Sequence, residues 1–218
     1  MRLMTYNIKG LHMDARAAAA VVRASAPDVL AVQEPPRGLF GWLRMRRFGR
    51  AVGLVPVVSG HGARTTALLV RHRPDLPVLG AHAVRLSWQP GRTRRGVAVA
   101  AVDGVTIVVV HFSLVRTERA AHLDTLLASV VPTGATVVLG DLNEPPEGPA
   151  WARLAAHLGG PTVPTGPTFP SKEPRQRIDA IVMTPDLVFD GVRVPDGPAV
   201  EAGSDHRPIV VDVQRTRP

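Results

Sequence analysis

Two short motifs in the C-terminal half of the sequence carry side chains suited to phosphate chemistry. They are Gly140-Asp141-Leu142-Asn143 and Ser204-Asp205-His206-Arg207-Pro208, and each lies beside an apolar run typical of a β-strand. A carboxylate next to an imidazole can hold a divalent cation and face a developing oxyanion. An Asp with an Asn two residues later can orient a water molecule and contact a phosphate oxygen. Together the motifs favour metal-assisted cleavage of a phosphate ester.

Strands and helices must position these motifs, and the sequence predicts both. Short runs rich in Val and Ile, separated by Gly and Pro, predict strands at residues 3–6, 29–33, 51–58, 66–71, 96–101, 106–110, 136–140, 178–183 and 208–213. Helices are expected at residues 14–25, 117–131 and 148–158, with Asp14 and Thr117 as N-caps. Residues 160–176 and 35–50 are interpreted as long loops, which often serve function but can also be plain surface connections.

Six polar residues stand at the ends of these predicted strands. Four of them directly follow an apolar run: Asn7, Glu34, His111 and Asp141. The two that stand at the beginning of a run are Asp179 and Asp205. In a mixed sheet, the C-terminal ends of some strands lie beside the N-terminal ends of their antiparallel neighbours. We therefore expect all six positions to share one edge and to form an active site there.

Some of these positions also have a structural interpretation. Asn7 could simply open a turn, and His111 could be a hydrogen-bonded core residue. Asp141 and Asn143 could form a capped turn, whereas an extended backbone would project both side chains to one face.

Two other acids indicate ligands or partners more directly. Glu34 ends a strand at Pro35-Pro36, and a charge held there needs something to bind. Asp179 lies in an otherwise apolar strand, where burial without a partner would be costly, and His206 is the candidate partner.

Composition limits the remaining options. The chain has 218 residues and is 45% hydrophobic, enough for one domain with a substantial core. It has no cysteine, which excludes disulfides, thiolate catalysis and thiolate metal sites. Any metal must then bind oxygen or imidazole ligands, and a site rich in carboxylates and amides favours magnesium or manganese. The net charge of +8 favours an anionic partner, although the Arg-rich, Ala-rich composition is also typical of GC-rich coding.

In chain order, six motifs resemble those of the endonuclease/exonuclease/phosphatase superfamily. They are Thr5-Tyr6-Asn7-Ile8, Gln33-Glu34, Val110-His111-Phe112, Gly140-Asp141-Leu142-Asn143, Arg177-Ile178-Asp179 and Ser204-Asp205-His206-Arg207-Pro208. This superfamily includes pancreatic-type deoxyribonucleases, abasic-site endonucleases, inositol polyphosphate 5-phosphatases, deadenylases and neutral sphingomyelinases. The resemblance implies an α/β (α+β) fold: a four-layer sandwich of two packed mixed β-sheets flanked by helices, with residues 1–218 as a single domain.

The resemblance also implies a magnesium-dependent phosphoesterase, with Mn²⁺ as a possible substitute. Glu34 would be the main metal ligand, helped by Asn7 and Asp205. Magnesium keeps several waters and takes one or two carboxylates, which agrees with this set.

The catalytic roles follow from the same resemblance. Asp141 would orient or deprotonate the attacking water, and Asn143 would hold a phosphate oxygen. His206 would stabilise charge on the phosphoryl group, with Asp179 fixing its tautomer. His111 matches a family histidine that contacts the phosphate in several members.

Three functional hypotheses remain at this point. The first is a nuclease acting on DNA or RNA, supported by basic clusters at residues 44–50 and 92–95, although the 4% aromatic content shows no clear base-stacking platform. The second is a phosphatase or phosphodiesterase acting on a small or lipid-derived phosphoester such as an inositol phosphate. The third is a catalytically inactive binding module. We also expect a cytoplasmic monomer without membrane insertion and without an implied protein partner.

Overall fold

Most of the chain is built from short strands joined by helices, and the computed structural model describes residues 1–216. In chain order the strands are β1 (Arg2–Asn7), β2 (Val29–Gln33), β3 (Val55–Val58), β4 (Thr66–Val70), β5 (Val78–Arg85), β6 (Gly96–Val102), β7 (Val105–His111), β8 (Thr136–Asp141), β9 (Asp179–Met183), β10 (Leu187–Arg193) and β11 (Ile209–Arg215). The α-helices are α1 (Ala15–Ser25), α2 (Gly41–Val52), α3 (Arg116–Ser129), α4 (Pro149–Leu158) and α5 (Pro198–Gly203).

The strands form two mixed sheets that pack face to face. One sheet has the order β10-β11-β1-β2-β4-β3, and the other has the order β5-β6-β7-β8-β9. Small aliphatic side chains from both sheets, such as Val29, Leu68, Val109 and Leu139, fill the layer between them. Helices α1 and α2 cover the outer face of the first sheet, and α3 and α4 cover that of the second. The fold is thus the expected four-layer sandwich.

Alternation along the central strands explains why both faces are covered. On β1, Leu3 faces the second sheet, while Met4 and Tyr6 face the helices. Every residue from Leu3 to Asn7 is buried, because β1 lies in the middle of its sheet and both of its faces are covered.

Two pairs of parallel strands determine at which end of the sandwich the polar residues meet. β1 pairs in parallel with β2 after α1, and β7 pairs in parallel with β8 after α3. Helix α1 begins where Asp14 Oδ1 accepts hydrogen bonds from the backbone amides of Arg16 and Ala17, at 2.8 and 3.1 Å. Because the two parallel pairs run in register and pack on each other, their C-terminal ends face one another.

Helix α2 is where the sequence-based prediction was wrong. Residues 35–50 were interpreted as a loop and residues 51–58 as a strand, but a helix runs from Gly41 to Val52 and the strand begins only at Val55. The helix buries Met45, Phe48 and Val52, which recur at helical spacing. Gly49 weakens this apolar pattern because it has no side chain. The position requires glycine, since an added Cβ there would lie 2.7 Å from the carbonyl oxygen of Leu54.

The other differences concern partly exposed elements and one cap. Strands β5 and β10 and helix α5 were not predicted, and much of both strands is exposed, which removes the apolar signal. Thr117 does not cap α3, because that helix begins one residue earlier with Val115 at the N-cap. Residues 160–176 form an irregular connection, as predicted, with single bridges from Thr162 to Val182 and from Phe169 to Gln176. Among residues 1–216, no helix has the length and apolar character that a membrane crossing requires.

Candidate active site

The polar residues predicted to converge do so, although they come from two facing sheets rather than from one edge. Asn7 ends β1 in the first sheet. His111 and Asp141 end β7 and β8 in the second, where they are register partners, and Asp141 also pairs with Asp179 at the start of β9. Glu34 immediately follows β2. The site therefore lies between the sheets, at the C-terminal ends of both parallel pairs.

Asn7 connects the two carboxylates at the centre of the site. Its Nδ2 group donates to Glu34 Oε1 at 3.4 Å and to Asp141 Oδ2 at 3.2 Å. Its Oδ1 accepts from the backbone amide of Lys9 at 3.1 Å. Glu34 adopts a left-handed backbone conformation with φ of 51°, which is uncommon for a residue with a side chain and is often found at functional sites. Its carboxylate remains partly exposed, so it can reach a ligand.

Asp141 is buried at the centre of the site and has an unusual acidity. Burial and the nearby charge of Asp179 raise the pKa of Asp141 to about 7, against the opposing effects of His206 and of hydrogen bonds from Asn143 and Asn7. A carboxylate whose pKa is close to 7 is well matched to accept a proton at neutral pH.

His206 is held by a buried hydrogen-bond chain. Its Nδ1 lies 3.0 Å from Asp179 Oδ2, and the same oxygen accepts a bond from Thr168 Oγ1 at 2.5 Å. The ring packs against Phe169, with centroids 4.9 Å apart. The remaining nitrogen, Nε2, lies 3.9 Å from Asp141 Oδ2. The predicted pairing of Asp179 with His206 is therefore present, and the 160–176 connection supplies two of its supports.

The charges around His206 favour its protonated form. Burial alone would lower the pKa of His206, but Asp179, Asp141 and Asp205 outweigh that effect and raise it to about 9. At neutral pH the ring is thus an imidazolium whose Nε2–H faces the centre of the site.

His111 has the opposite character. Its Nε2 lies 3.6 Å from Asp141 Oδ2 and 3.9 Å from Glu34 Oε1. Complete burial, with the positive charges of Arg95 and His206, lowers the pKa of His111 well below its usual value. The ring is therefore neutral at pH 7, and the site contains one neutral and one cationic imidazole.

Asn143 lies near Asp141 but not in an extended continuation of β8. Its backbone φ is 50°, and its amide N–H donates to Asp141 Oδ1 at 2.8 Å, which is the capped-turn alternative. The side-chain Nδ2 donates to the carbonyl oxygen of Phe112 at 2.8 Å, and Leu142 is buried as expected. One N–H of the amide is left for a substrate oxygen.

Asp205 is the predicted site residue that the structure does not join to its expected partners. Its Oδ2 forms an ion pair with Lys9 Nζ at 2.7 Å. The side-chain hydrogen bonds and ion pairs of Asp205 within residues 1–216 are with Lys9 and Ser204, not with Asn7 or Glu34. The neighbouring Ser204 Oγ donates to the carbonyl oxygen of Asn7 at 2.6 Å, which anchors this segment beside β1.

Arg95 was missed as a site residue and assigned only to a basic cluster. Its Nη1 donates to the carbonyl oxygen of His111 at 3.3 Å. Burial lowers the pKa of Arg95, against the carboxylates of Asp141 and Glu34. Its position in the sequence could have indicated this role. Arg95 directly precedes β6, which runs antiparallel to β7, just as Asp179 begins the antiparallel strand β9.

Two sets of side chains are candidates to hold a metal ion. Asp141, Asp179 and His206 present ligand atoms within 4.8 Å of one another. In that set, however, Asp179 Oδ2 is already engaged by His206 and Thr168, and His206 is cationic and has no free lone pair.

The second set fits a hard divalent cation better. The Nδ2 group of Asn7 lies between Glu34 and Asp141, the place where a cation would offset both charges. Turning the amide would present Oδ1 there without changing its shape. Carboxylate and amide oxygens are ligands that magnesium and manganese prefer.

Comparison with known proteins identifies the family and the fold of the chain. The family model described as Endonuclease/Exonuclease/phosphatase family matches residues 4–206. No curated protein matches the sequence.

Three solved structures illustrate the similarity of the fold. An endonuclease/exonuclease/phosphatase from Bacteroides vulgatus has a TM-score of 0.76 at 16% identity, covering 99% of this chain and 98% of that one. A mannosyl-6-phosphatase from Bacteroides thetaiotaomicron has a TM-score of 0.71 at 15% identity, covering 98% and 99%. ANGEL2, a 2′,3′-cyclic phosphatase in complex with adenosine-2′,3′-vanadate, has a TM-score of 0.73 at 13% identity, covering 96% and 94%.

The match of the family model spans every motif of the site, from Asn7 to His206. The two facing mixed sheets with outer helices are the fold of the structural neighbours. The chain therefore belongs to the Endonuclease/Exonuclease/phosphatase family and is a hydrolase that acts on phosphoester bonds.

Proposed function

We propose that this protein is a magnesium-dependent nuclease that hydrolyses phosphodiester bonds in DNA or RNA by direct attack of water. The observation that carries the proposal is the arrangement of Asp141 opposite His206, with Oδ2 and Nε2 3.9 Å apart. Both groups are buried, and their pKa values of about 7 and about 9 give a proton acceptor and a cationic donor at the same pH. Held in this way, Asp141 can take the proton of the attacking water while His206 stabilises charge on the phosphoryl oxygens. As the bond from the water oxygen to phosphorus forms, the bond from phosphorus to the leaving oxygen breaks, and that oxygen takes a proton from solvent.

The roles of the side chains follow from their contacts. Asp141 accepts the proton of the attacking water, since a pKa near 7 leaves much of it ionised at neutral pH. His206 donates from Nε2–H to a phosphoryl oxygen, and Asp179 keeps that proton in place by accepting from Nδ1. The free N–H of Asn143 and the guanidinium of Arg95 supply further donors at the same end of the sandwich.

Glu34 and Asn7 are the residues that would hold a magnesium ion, with Asp141 beside them. When bound, the ion neutralises charge on the phosphoryl oxygens. This chemistry needs no Ser or Cys nucleophile, in agreement with a site composed of acids, amides and imidazoles.

Charge supports nucleic acid as the substrate. The chain has a net charge of +8 from 26 basic and 18 acidic residues. A neighbour of the same fold is described in complex with adenosine-2′,3′-vanadate, so this architecture accommodates a nucleoside with a phosphate analogue. Contacts between arginine and phosphate would make binding fall steeply as salt is added.

Purified protein with Mg²⁺ at low salt tests the proposal against supercoiled plasmid, single-stranded DNA, abasic DNA and RNA. Cleavage of at least one of them is expected, with loss of at least about 100-fold in Asp141→Ala and His206→Ala and with complete loss in EDTA. The distant Arg153→Ala variant is the matched control, because Arg153 pairs with Asp124 on the surface. If all four nucleic acids remain intact, the protein is not a nuclease.

A second candidate function keeps the chemistry and changes the substrate to a small phosphoester. The similarity to a mannosyl-6-phosphatase favours it, since that protein has the same fold at nearly equal length. A panel of sugar phosphates, inositol phosphates and small diesters separates the two functions. Turnover of a small ester together with intact nucleic acid would select the second.

A further inference from the structure

An open cleft adjoins the active site on the side of Glu34. It has a volume of about 560 Å³, within the range of pockets that hold small organic ligands. Its walls come from three separate segments: the Pro35–Pro36 turn with the start of α2, residues 59–64, and residues 93–94. Because Pro35 follows Glu34 directly, the cleft begins one residue from the proposed metal-binding carboxylate.

Trp42 and Arg94 line the cleft from separate segments, and Arg94 lies over a second tryptophan, Trp88, outside the lining. Trp42 lines it and is 53% exposed. Arg94 lines it from the opposite segment, and its guanidinium lies 4.2 Å from the ring centroid of Trp88, which is 42% exposed. An exposed aromatic ring and a guanidinium supported by a second ring are both flat surfaces on which a planar group can stack. The sequence alone showed no such platform.

The charged side chains in the cleft are all basic. Arg37, Arg64 and Arg94 line it, with His61, and no Asp or Glu does so. Within the described residues, none of these three arginines forms an ion pair with a carboxylate. Their guanidinium groups are therefore available to phosphate, for which arginine is a bidentate donor.

Arg37 also links the cleft to the catalytic groups. Burial is the main cause of the lowered pKa of Arg95, and the positive charge of Arg37 lowers it further. The same charge contributes to the lowered pKa of His111. Arg37 follows Glu34 by three residues and lines the cleft, so it lies on the side of the cleft nearest the proposed metal-binding carboxylate in the chain.

The lining suits a nucleotide better than a sugar. Polyhydroxylated ligands need acceptors as well as donors, but the lining contains no carboxylate and no side-chain amide, and its other polar side chains are Ser59 and Thr93. Apolar and aromatic groups, including Leu39, Trp42 and Met45, form much of the remaining surface. A flat base can pack on the apolar and aromatic part of the lining, and the adjoining phosphates can bind its arginines.

We propose that this cleft binds an unpaired nucleotide next to the scissile phosphodiester, its base stacked between Trp42 and the Arg94–Trp88 pair and its phosphates on Arg37 and Arg64. This inference rests on the proposed nuclease function and narrows its substrate to single-stranded nucleic acid. A base held in this way cannot remain paired and stacked in a duplex.

Equilibrium binding of 5′-fluorescein-labelled decathymidylate, followed by anisotropy in EDTA, tests the cleft without any turnover. Trp42→Ala is expected to raise the Kd about tenfold and Arg94→Ala about fivefold. A blunt duplex of the same length is expected to bind more weakly than the single strand. Arg64→Ala, which removes one of the two phosphate contacts, is expected to make the affinity less dependent on salt.

Two variants provide matched controls. Phe40→Ala removes an aromatic ring that is 64% exposed but does not line the cleft, and Arg153→Ala removes a distant surface arginine. Both are expected to keep the Kd within about twofold of the wild type. Circular dichroism and urea unfolding check that Trp42→Ala retains the fold.

The outcomes separate this inference from the function on which it rests. If Trp42→Ala and Arg94→Ala both bind decathymidylate as the wild type does, or if a blunt duplex binds equally well, the cleft is not a nucleotide site, even where Mg²⁺-dependent cleavage is present. If the cleft variants lose binding but the wild type cleaves no nucleic acid with Mg²⁺, the nuclease function fails and the binding site stands.

Discussion

At the scale of single residues, the chemistry depends on how neighbouring charges shift the pKa values of Asp141 and His206. Asp141 and His206 are both buried, and burial acts against the charged form of each. Asp179 raises the pKa of both groups, because its negative charge disfavours a second carboxylate and favours an imidazolium. Between about pH 7 and about pH 9, Asp141 is mostly ionised while His206 remains protonated. That window is the one in which a base and an acid coexist.

Replacing Asp179 with Asn should move this window to lower pH. Without the negative charge, the pKa of His206 is expected to fall from about 9 by about one unit or more, so that the ring loses its proton earlier as pH rises. NMR titration of the His206 ring in EDTA measures the change directly. With a shift of about one unit, about half of the His206 rings remain protonated at pH 8, so phosphodiester cleavage at that pH is expected to drop about twofold, and by more if the shift is larger.

Thr168→Val is the matched control for that change. It removes the hydrogen bond from Thr168 Oγ1 to Asp179 Oδ2 but leaves the carboxylate charge in place. Because the charge that favours the imidazolium is kept, the pKa of His206 is expected to stay close to about 9. An unaltered His206 titration in Asp179→Asn would mean that Asp179 does not control the imidazolium.

At the scale of elements, the site depends on how closely strand ends approach one another. β8 reaches Asp141 through Gly140, whose φ is 142°. A Cβ at Gly140 would lie 2.0 Å from the carbonyl oxygen of Val110 on the neighbouring strand. Only a residue without a side chain can therefore bring β8 beside β7 in the register that aligns Asp141 with His111.

Gly140→Ala should consequently disturb both stability and activity. We expect the free energy of unfolding to fall by about 3 kcal/mol, since β7 and β8 must separate to admit the methyl group. Cleavage is expected to decrease as well, because Asp141 moves with the strand. Urea unfolding and steady-state kinetics measure the two effects.

Gly134→Ala tests whether the effect at Gly140 comes from close packing. An added Cβ at Gly134 has no heavy atom within 4 Å, and its φ is not in the left-handed range. It should change stability by less than about 0.5 kcal/mol. Equal losses in both variants would contradict the role given to the close contact at Val110.

The elements that escaped prediction share a physical cause. The hydrophobic pattern of the buried strands is strong enough to predict them without knowledge of tertiary contacts. Strand β2, for example, has the bounds that the sequence predicts. Helix α2 buries Met45, Phe48 and Val52 among arginines and glycines, so its apolar signal is diluted. Strand β5 exposes most of its residues and is fixed by pairing with β6, a contact that a local pattern does not contain.

At the scale of the whole molecule, the two sheets share one site. In the first sheet, Asn7 ends β1 and Glu34 follows β2, and in the second sheet Asp141 ends β8. A cation held near these residues would connect the two halves of the sandwich. A ligand that binds the folded state alone shifts the unfolding equilibrium toward that state.

Mg²⁺ should therefore raise the thermal stability of the protein. At a concentration of about 100 times its Kd, the expected gain is about 2.7 kcal/mol, or roughly 5 to 10 °C in Tm for a chain of this size. Differential scanning calorimetry with MgCl₂ and then with EDTA measures the change. In Glu34→Gln most of the increase should be absent, whereas Glu173→Gln, at an exposed position paired with Arg175, should retain it. A similar increase in both variants would exclude Glu34 as a ligand.

The layered pattern of strands and helices, and the acids, amides and imidazoles at the strand ends, can be identified in the sequence without any tertiary contact. This is possible because the period of buried residues and the cost of burying a charge are both local properties. The sequence also indicated the partner of Asp179, since an isolated carboxylate in an apolar strand requires one.

Which of these groups meet depends on the packing of the two sheets. The folded structure placed Asp205 with Lys9 rather than with Glu34, and it turned the backbone at Asn143 out of the strand. It brought Arg95 beside His111 and placed Trp42 and Arg94 around one cleft. These contacts join residues distant in the chain through the packing of one sheet on the other, and that geometry is a property of the assembled fold rather than of any segment of the sequence.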